Sequence, residues 1–178
     1  YAVFGKATTD PVDLEPTVAG GVGGFKIQGE AGSVAGRSVA SADDINGDGV
    51  PDLIVGANSN DAGGDLAGAA YVVFGKANTS LVDLDTVATG AGGGFKIQGE
   101  TAGDSAGWSV SSIADLNGDG RAEILVGAPF HSIGDDTDAG AAYVVWGKPS
   151  ADLVNLDDVA SGIGGFKIEG EAALDGVD

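Results

Sequence analysis

The chain repeats itself. GGFKIQGE occupies 23–30, the same eight residues recur at 93–100, and GGFKIEGE follows at 164–171, while YAVFGK, YVVFGK and YVVWGK begin at Tyr1, Tyr71 and Tyr143. Phe25 to Phe95 is 70 positions, Phe95 to Phe166 is 71, and Asp44 to Asp115 is 71. The period is therefore about 71 residues, and 178 residues hold about two and a half copies. A repeat of this size restricts the fold to like units stacked in series, each burying a face on the next.

Within one period, four short apolar segments are bounded by Gly, Asp and Asn: roughly 36–42, 53–57, 69–75 and 94–98. That is the signature of strands of ordinary length rather than of helices. The stretch VDLDTVATGAGG at 82–93 has room for one helical turn, and its glycines forbid a longer helix. Four antiparallel strands per repeat describe a β-propeller blade, so the expected fold is all-β. The expected boundaries are a partial blade at 1–30, blades with an acidic loop at 31–100 and 101–171, and the start of a further repeat at 172–178. Runs of small residues, AGAAYVV at 67–73 and 139–145, suit close approach between blades. The first blade counts only two strands, and unpaired edges invite pairing. The chain thus reads as part of a larger closed ring, completed by other blades of a parent chain or by further copies.

One loop recurs within the repeat: DDINGDGVPDLIVGA at 43–57 and ADLNGDGRAEILVGA at 114–128. Counting from Asp44, position 3 is Asn46, position 5 Asp48, position 6 Gly49, position 7 Val50 and position 9 Asp52. The second loop places Asp115, Asn117, Asp119, Gly120, Arg121 and Glu123 at the same positions. Oxygen-bearing side chains at 1, 3, 5 and 9, a Gly at the sharp turn and a backbone carbonyl at 7 are how a calcium loop presents its ligands. Position 12 would be Val55 or Val126 rather than Glu, and a strand follows, so neither loop is an EF-hand. Each is instead the turn of a hairpin. Asn-Gly and Asp-Gly are also ordinary hairpin chemistry, but a polar turn alone does not require four oxygen side chains in register twice. With oxygen donors and no Cys, Ca2+ is expected over Zn2+, Cu2+ or Mg2+, in a structural role.

These residues resemble the FG-GAP repeats of the integrin α-chain propeller and its bacterial relatives. The naming elements stand as Phe74-Gly75 in YVVFG and Gly127-Ala128-Pro129 in VGAPF, with the acidic loop just before the latter. The sequence departs from the pattern at Asn58, where Pro is expected, at Trp146-Gly147 in place of Phe-Gly, and at Glu123 in place of Asp. The resemblance implies a propeller, commonly seven-bladed, with calcium in hairpin loops and ligand recognition on another surface. At about 71 residues per blade, seven blades need about 500 residues.

Other features limit the function. A formal charge of −19, from 8 basic and 27 acidic residues, opposes nucleic-acid binding. No apolar run approaches the roughly 18 residues of a membrane span, and the absence of Cys removes thiolate sites. The lone histidine, His131, lies near Ser132, Asp135 and Asp136 in a polar stretch that reads as a solvated loop, not a triad. Lys26, Lys96 and Lys167 alternate with apolar neighbours in FKI and read as a solvent face. Trp108, which replaces Arg37 of the previous repeat, reads as packing between blades. No catalysis is expected of the chain itself. It reads as an extracellular or surface calcium-binding segment for adhesion, recognition or assembly, with an unknown protein or glycan ligand. Two alternatives are a scaffold within a larger secreted enzyme and a lectin-like binder.

Overall fold

The computed structural model describes residues 1–5, 7, 14 and 23–171. The expected new repeat at 172–178, and positions 6, 8–13 and 15–22 of the first partial blade, lie outside the described residues. The elements in chain order are β1 (Ala2–Val3), β2 (Gly24–Phe25), β3 (Ile27–Gln28), β4 (Ser38–Ala42), β5 (Asp52–Ala57), β6 (Ala69–Val73) and β7 (Val82–Asp83). Then come α1 (Leu84–Ala88), β8 (Gly94–Gln98), β9 (Ser109–Ile113), β10 (Glu123–Ala128), β11 (Ala141–Val145), β12 (Val154–Asn155), α2 (Leu156–Ala160) and β13 (Gly165–Glu169). The four apolar segments of the period are the four antiparallel strands of one blade, ordered β4-β5-β6-β8, and the next repeat gives β9-β10-β11-β13. β1 and β2 form a two-stranded antiparallel sheet.

Two short strands were not anticipated by a four-strand blade. β7 pairs in parallel with β3 of the preceding repeat (Ile27 opposite Val82), and β12 pairs in parallel with β8 (Ile97 opposite Val154). Two residues are too few for period-two alternation to register in sequence. Each leads into the single helical turn, where Asp83 caps α1 by accepting from the Asp85 amide and Leu84 and Val87 turn inward. The repeats are thereby stitched by backbone hydrogen bonds as well as by side chains.

The sheets stack through their apolar faces. All five residues of β6 are buried, because its two faces enter different cores. Ala70 and Val72 join Ile54, Phe95 and Ile97 against Ile124, Val126, Tyr143 and Val145 of the next sheet. Ala69, Tyr71 and Val73 join Val55 and Ala57 against Phe25, Val82, Leu84 and Val87 on the other side. Beyond the core, the lysines after Phe74-Gly75 and Trp146-Gly147 reach back one repeat: the Lys76 ammonium lies 4.6 Å from the Phe25 ring centre and the Lys148 ammonium 4.7 Å from that of Phe95.

Close approach at the strand starts depends on glycine. Gly107 has φ +80°, and a Cβ added there would lie 2.0 Å from the Ala69 carbonyl oxygen. Opposite it, a Cβ on Gly56 would lie 2.1 Å from the Gly107 carbonyl oxygen. Backbone from two successive sheets is therefore in direct contact, with Gly68 and Ala106 forming a parallel bridge beside it. Gly107→Ala is expected to lower stability by at least about 2 kcal/mol, from left-handed strain and the backbone clash together. In a chain of this size that corresponds to a melting point lower by roughly 4–8 °C, measurable by calorimetry.

Candidate metal centre

The two acidic loops fold alike, as the turns of the β4–β5 and β9–β10 hairpins. In the first, Asp44 Oδ1 accepts from the amides of Gly47 (2.7 Å) and Asp48 (3.0 Å), and Oδ2 accepts from that of Gly49 (2.7 Å). Asn46 Oδ1 accepts from the Asp48 amide and Asp48 Oδ1 from the Val50 amide. The second loop repeats these bonds with Asp115, Asn117 and Asp119, the last accepting from the Arg121 amide at 2.9 Å. Glycines with φ of 82–87° at 47, 49, 118 and 120 make the tight path possible. The amide donors curl each loop around its own carboxylates. Desolvation pushes the Asp44 carboxyl up, but the amides of Gly49, Gly47 and Asp48 and the Arg121 charge more than reverse this, leaving it below the ordinary value.

Position 9 separates the loops. Asp52, almost fully buried, accepts from the Ile45 amide at Oδ2 (2.9 Å) and from the Gly75 amide at Oδ1 (2.8 Å). Burial, together with the Asp48 and Asp44 charges, carries its carboxyl above the ordinary range despite those two bonds. Glu123, fully buried, accepts from the Leu116 amide at Oε2 (2.5 Å), but its Oε1 is shielded and has no hydrogen-bond partner. Ligand oxygens of Asp115, Asp119 and Glu123 lie within 4.8 Å of one another. Oxygens around a Ca2+ ion at about 2.4 Å can be separated by at most about that distance. A buried carboxylate oxygen left bare beside two other carboxylates is costly, and a hard cation is the partner that would satisfy it. The residues of the second loop thus fit a divalent ion. The structure brings Asp115, Asp119 and Glu123 together, whereas in the first loop Asp52 is turned to the backbone.

The Phe-Gly element owes its glycine to these loops. A Cβ on Gly75 would lie 2.3 Å from the Pro51 carbonyl oxygen and 2.5 Å from Val50 Cγ1. One on Gly147 would lie 2.4 Å from the Ala122 carbonyl oxygen and 2.8 Å from that of Ile45. The loop backbone rests directly on the glycine.

A second polar constellation escaped the sequence reading. Glu30, after β3, accepts from the Tyr71 hydroxyl (2.5 Å), from Asn60 Nδ2 (2.7 Å) and from Lys96 Nζ (3.1 and 3.2 Å). One repeat on, Glu100 accepts from the Tyr143 hydroxyl and from Lys167 Nζ. His131, at the position of Asn60, bonds Asp104 through Nδ1 (2.7 Å) and approaches Lys167 Nζ through Nε2 (3.3 Å). Two expectations are corrected here. Lys96 is 4% exposed and His131 is 5% exposed, so neither faces solvent. Both faces of an inner blade are covered, so alternation in FKI does not mark a wet face. The available signal was the recurrence of Glu, Tyr and Lys at 30, 71 and 96, and again at 100, 143 and 167. Trp108 is 38% exposed, with the Arg37 guanidinium 4.4 Å from its ring centre and Phe130 edge-on at 5.5 Å; all three lie where consecutive repeats meet.

Comparison with known proteins gives a consistent picture. The FG-GAP repeat profile matches residues 35–73 and 106–145. Integrin alpha-3 of Cricetulus griseus is 35% identical over 106 residues, 59% of this chain and 9% of that protein. Phosphatidylinositol-glycan-specific phospholipase D of Bos taurus is 34% identical over 131 residues, 70% of this chain and 14% of that protein. Integrin alpha-6 of Gallus gallus is 29% identical over 161 residues, 85% of this chain and 13% of that protein. The chain spans a small fraction of the length of each of these relatives.

The buried Glu–Tyr–Lys clasp makes stability depend on pH at both extremes. Burial raises the Glu30 carboxyl, but the bonds from Tyr71, Asn60 and Lys96 and the Lys96 charge take it below its ordinary 4.5. A lowered folded value means that its stabilisation is present above pH 4.5 and lost as pH falls through the folded value. Burial first, and then the bonds to Glu30 and Glu100, raise the Tyr71 and Tyr143 hydroxyls above their ordinary 10.0. As pH rises past 10.0 the unfolded chain ionises while the folded one does not, and stability falls. Melting temperature measured against pH should therefore drop at both ends, and Glu30→Gln should flatten the acid limb.

Proposed function

Since this chain is an FG-GAP repeat protein, we propose that it is a calcium-stabilised propeller segment of an extracellular or cell-surface protein, serving adhesion, recognition or assembly. The observation that carries the calcium reading is Glu123, whose carboxylate has a bare, buried Oε1 and an oxygen within 4.8 Å of those of Asp115 and Asp119. In the second loop Asp115, Asn117, Asp119, the Arg121 carbonyl and Glu123 would hold the ion. In the first, Asp44, Asn46, Asp48 and the Val50 carbonyl would do so by repetition of the pattern, while Asp52 is held by the Ile45 and Gly75 amides. The ion would neutralise crowded carboxylates and fix the hairpin, a structural contribution in a chain of net charge −19.

Placement outside the cell rests on the likeness to integrin α chains, which are surface proteins; no helix among the described residues is long and apolar enough to cross a membrane. The partner is a protein or glycan ligand, together with further blades or copies that continue the stack. β3 and β8 each receive a two-residue parallel strand from the next repeat, and Ile168–Glu169 of β13 is the corresponding edge with Ile168 52% exposed. A second reading is a non-catalytic scaffold within a larger enzyme, favoured by the likeness to phospholipase D proteins over 70% of this chain.

Calorimetric unfolding in millimolar Ca2+ and in excess chelator tests the calcium reading. Ion at about 100 times its Kd adds about 2.7 kcal/mol per site, which is a rise of roughly 5–10 °C for a chain this size. Asp119→Ala should remove the response of the second loop and Asp48→Ala that of the first. An unchanged melting point on chelation would overturn the reading.

A further inference from the structure

Arg121 stands at position 7 of the second loop, and its side chain touches both that loop and the one before it. Nη1 lies 3.5 Å from Asp119 Oδ2, forming an ion pair in which the two side chains are 31% and 37% exposed. Its Nε is shielded from solvent and has no hydrogen-bond partner. A Cβ placed on Gly47, in the first loop, would lie 3.3 Å from that Nε, so the guanidinium rests on the neighbouring repeat. The backbone makes the same junction, because the Ala122 amide donates to the Asp44 carbonyl at 3.1 Å. Arg121 Cβ packs at Gly147, which fixes the root of the side chain. A positive charge is thus held where two acidic loops, 71 positions apart in sequence, come together. The matching residue of the first loop is Val50, which lies over Gly75 and brings no charge.

We propose that Arg121 is a tethered cation shared by the two loops, which competes with a divalent ion for Asp119 and links the occupancy of one loop to that of the other. The proposal rests on the calcium reading above. Without the ion, the guanidinium offsets repulsion among the carboxylates of both loops. An ion entering at Asp115, Asp119 and Glu123 takes Asp119 and repels the guanidinium, leaving Asp44 as the anion on its other side. The first loop then holds a cation of its own and binds a divalent ion less tightly. Linkage makes the effect reciprocal, so an ion in the first loop weakens the second by the same factor.

The test is calcium titration by isothermal calorimetry, with melting of the metal-free and loaded forms, on the wild type, Arg121→Met and Arg121→Lys. These substitutions keep the backbone carbonyl at position 7, and Met keeps most of the packed stem while removing the charge. Arg121→Met should bind calcium at least about fivefold more tightly, at the low end of usual site coupling, and its two loops should fill independently. Its metal-free form should melt below wild type while its calcium-induced rise is larger, and Arg121→Lys should behave as wild type. Calcium uptake with equal affinities in wild type and Arg121→Met overturns this proposal alone. So does a lysine variant that matches the methionine one, because packing rather than charge would then be responsible. No uptake by the wild type overturns the calcium reading and this proposal with it.

Discussion

A β-sheet with two apolar faces cannot stand in water by itself, and the rest of the structure depends on how that requirement is met. β6 buries every residue, with Val72 looking one way and Tyr71 the other. That inner sheet is therefore stable only between neighbours, and each neighbour must come close over its whole face. At the strand ends this closeness becomes backbone contact at Gly56, Gly68 and Gly107, and after Phe74 and Trp146 it becomes loop backbone resting on Gly75 and Gly147. At these positions glycine records a close backbone contact rather than flexibility.

The same stacking sets up two polar junctions, and each uses charge differently. In one, a carboxylate from the preceding repeat is enclosed by Tyr and Lys of the next, so that its charge is matched inside the fold. Matched buried charge is weak evidence for extra stability, since desolvation opposes the pairing, but breaking one partner is costly. In the other, the acidic loops gather carboxylates with backbone amides as donors and a single guanidinium between them. Amides neutralise only partially, and the oxygen of Glu123 that no amide reaches is where that compensation stops. Successive repeats are thus joined at one junction by a complete polar network and at the other by an incomplete one with capacity for a cation.

Much of this was legible in the residues, for identifiable reasons. The 71-residue period, the four strand segments and the hairpin position of the acidic loops rest on alternation, turn chemistry and repetition, all of which are local. The helical turn at Leu84–Ala88 was legible from VDLDTVA followed by glycines. The parallel strands β7 and β12 were not, because two residues carry no period. Lys96 was misplaced because a charge alternating with apolar neighbours reads as facing water, whereas its partner Glu30 belongs to the preceding repeat, and His131 because a polar stretch reads as a solvated loop, whereas Asp104 and Lys167 enclose it. Asp52 and Glu123 read as equivalent ligands, and a single methylene distinguishes them: the shorter side chain ends on two backbone amides, the longer one leaves an oxygen free.

By itself the sequence determined the unit: its length, its strands, its turns and the kinds of atom its loops offer, since these follow from neighbours along the chain. Tertiary structure decided what happens between units. That Glu30 meets Tyr71 and Lys96, that Glu100 meets Tyr143 and Lys167, and that Arg121 crosses to the loop of Asp44 all depend on how one sheet is set against the next. Such contacts join residues tens of positions apart, and the distance and rotation between blades that create them come from packing of whole faces, which no local pattern specifies.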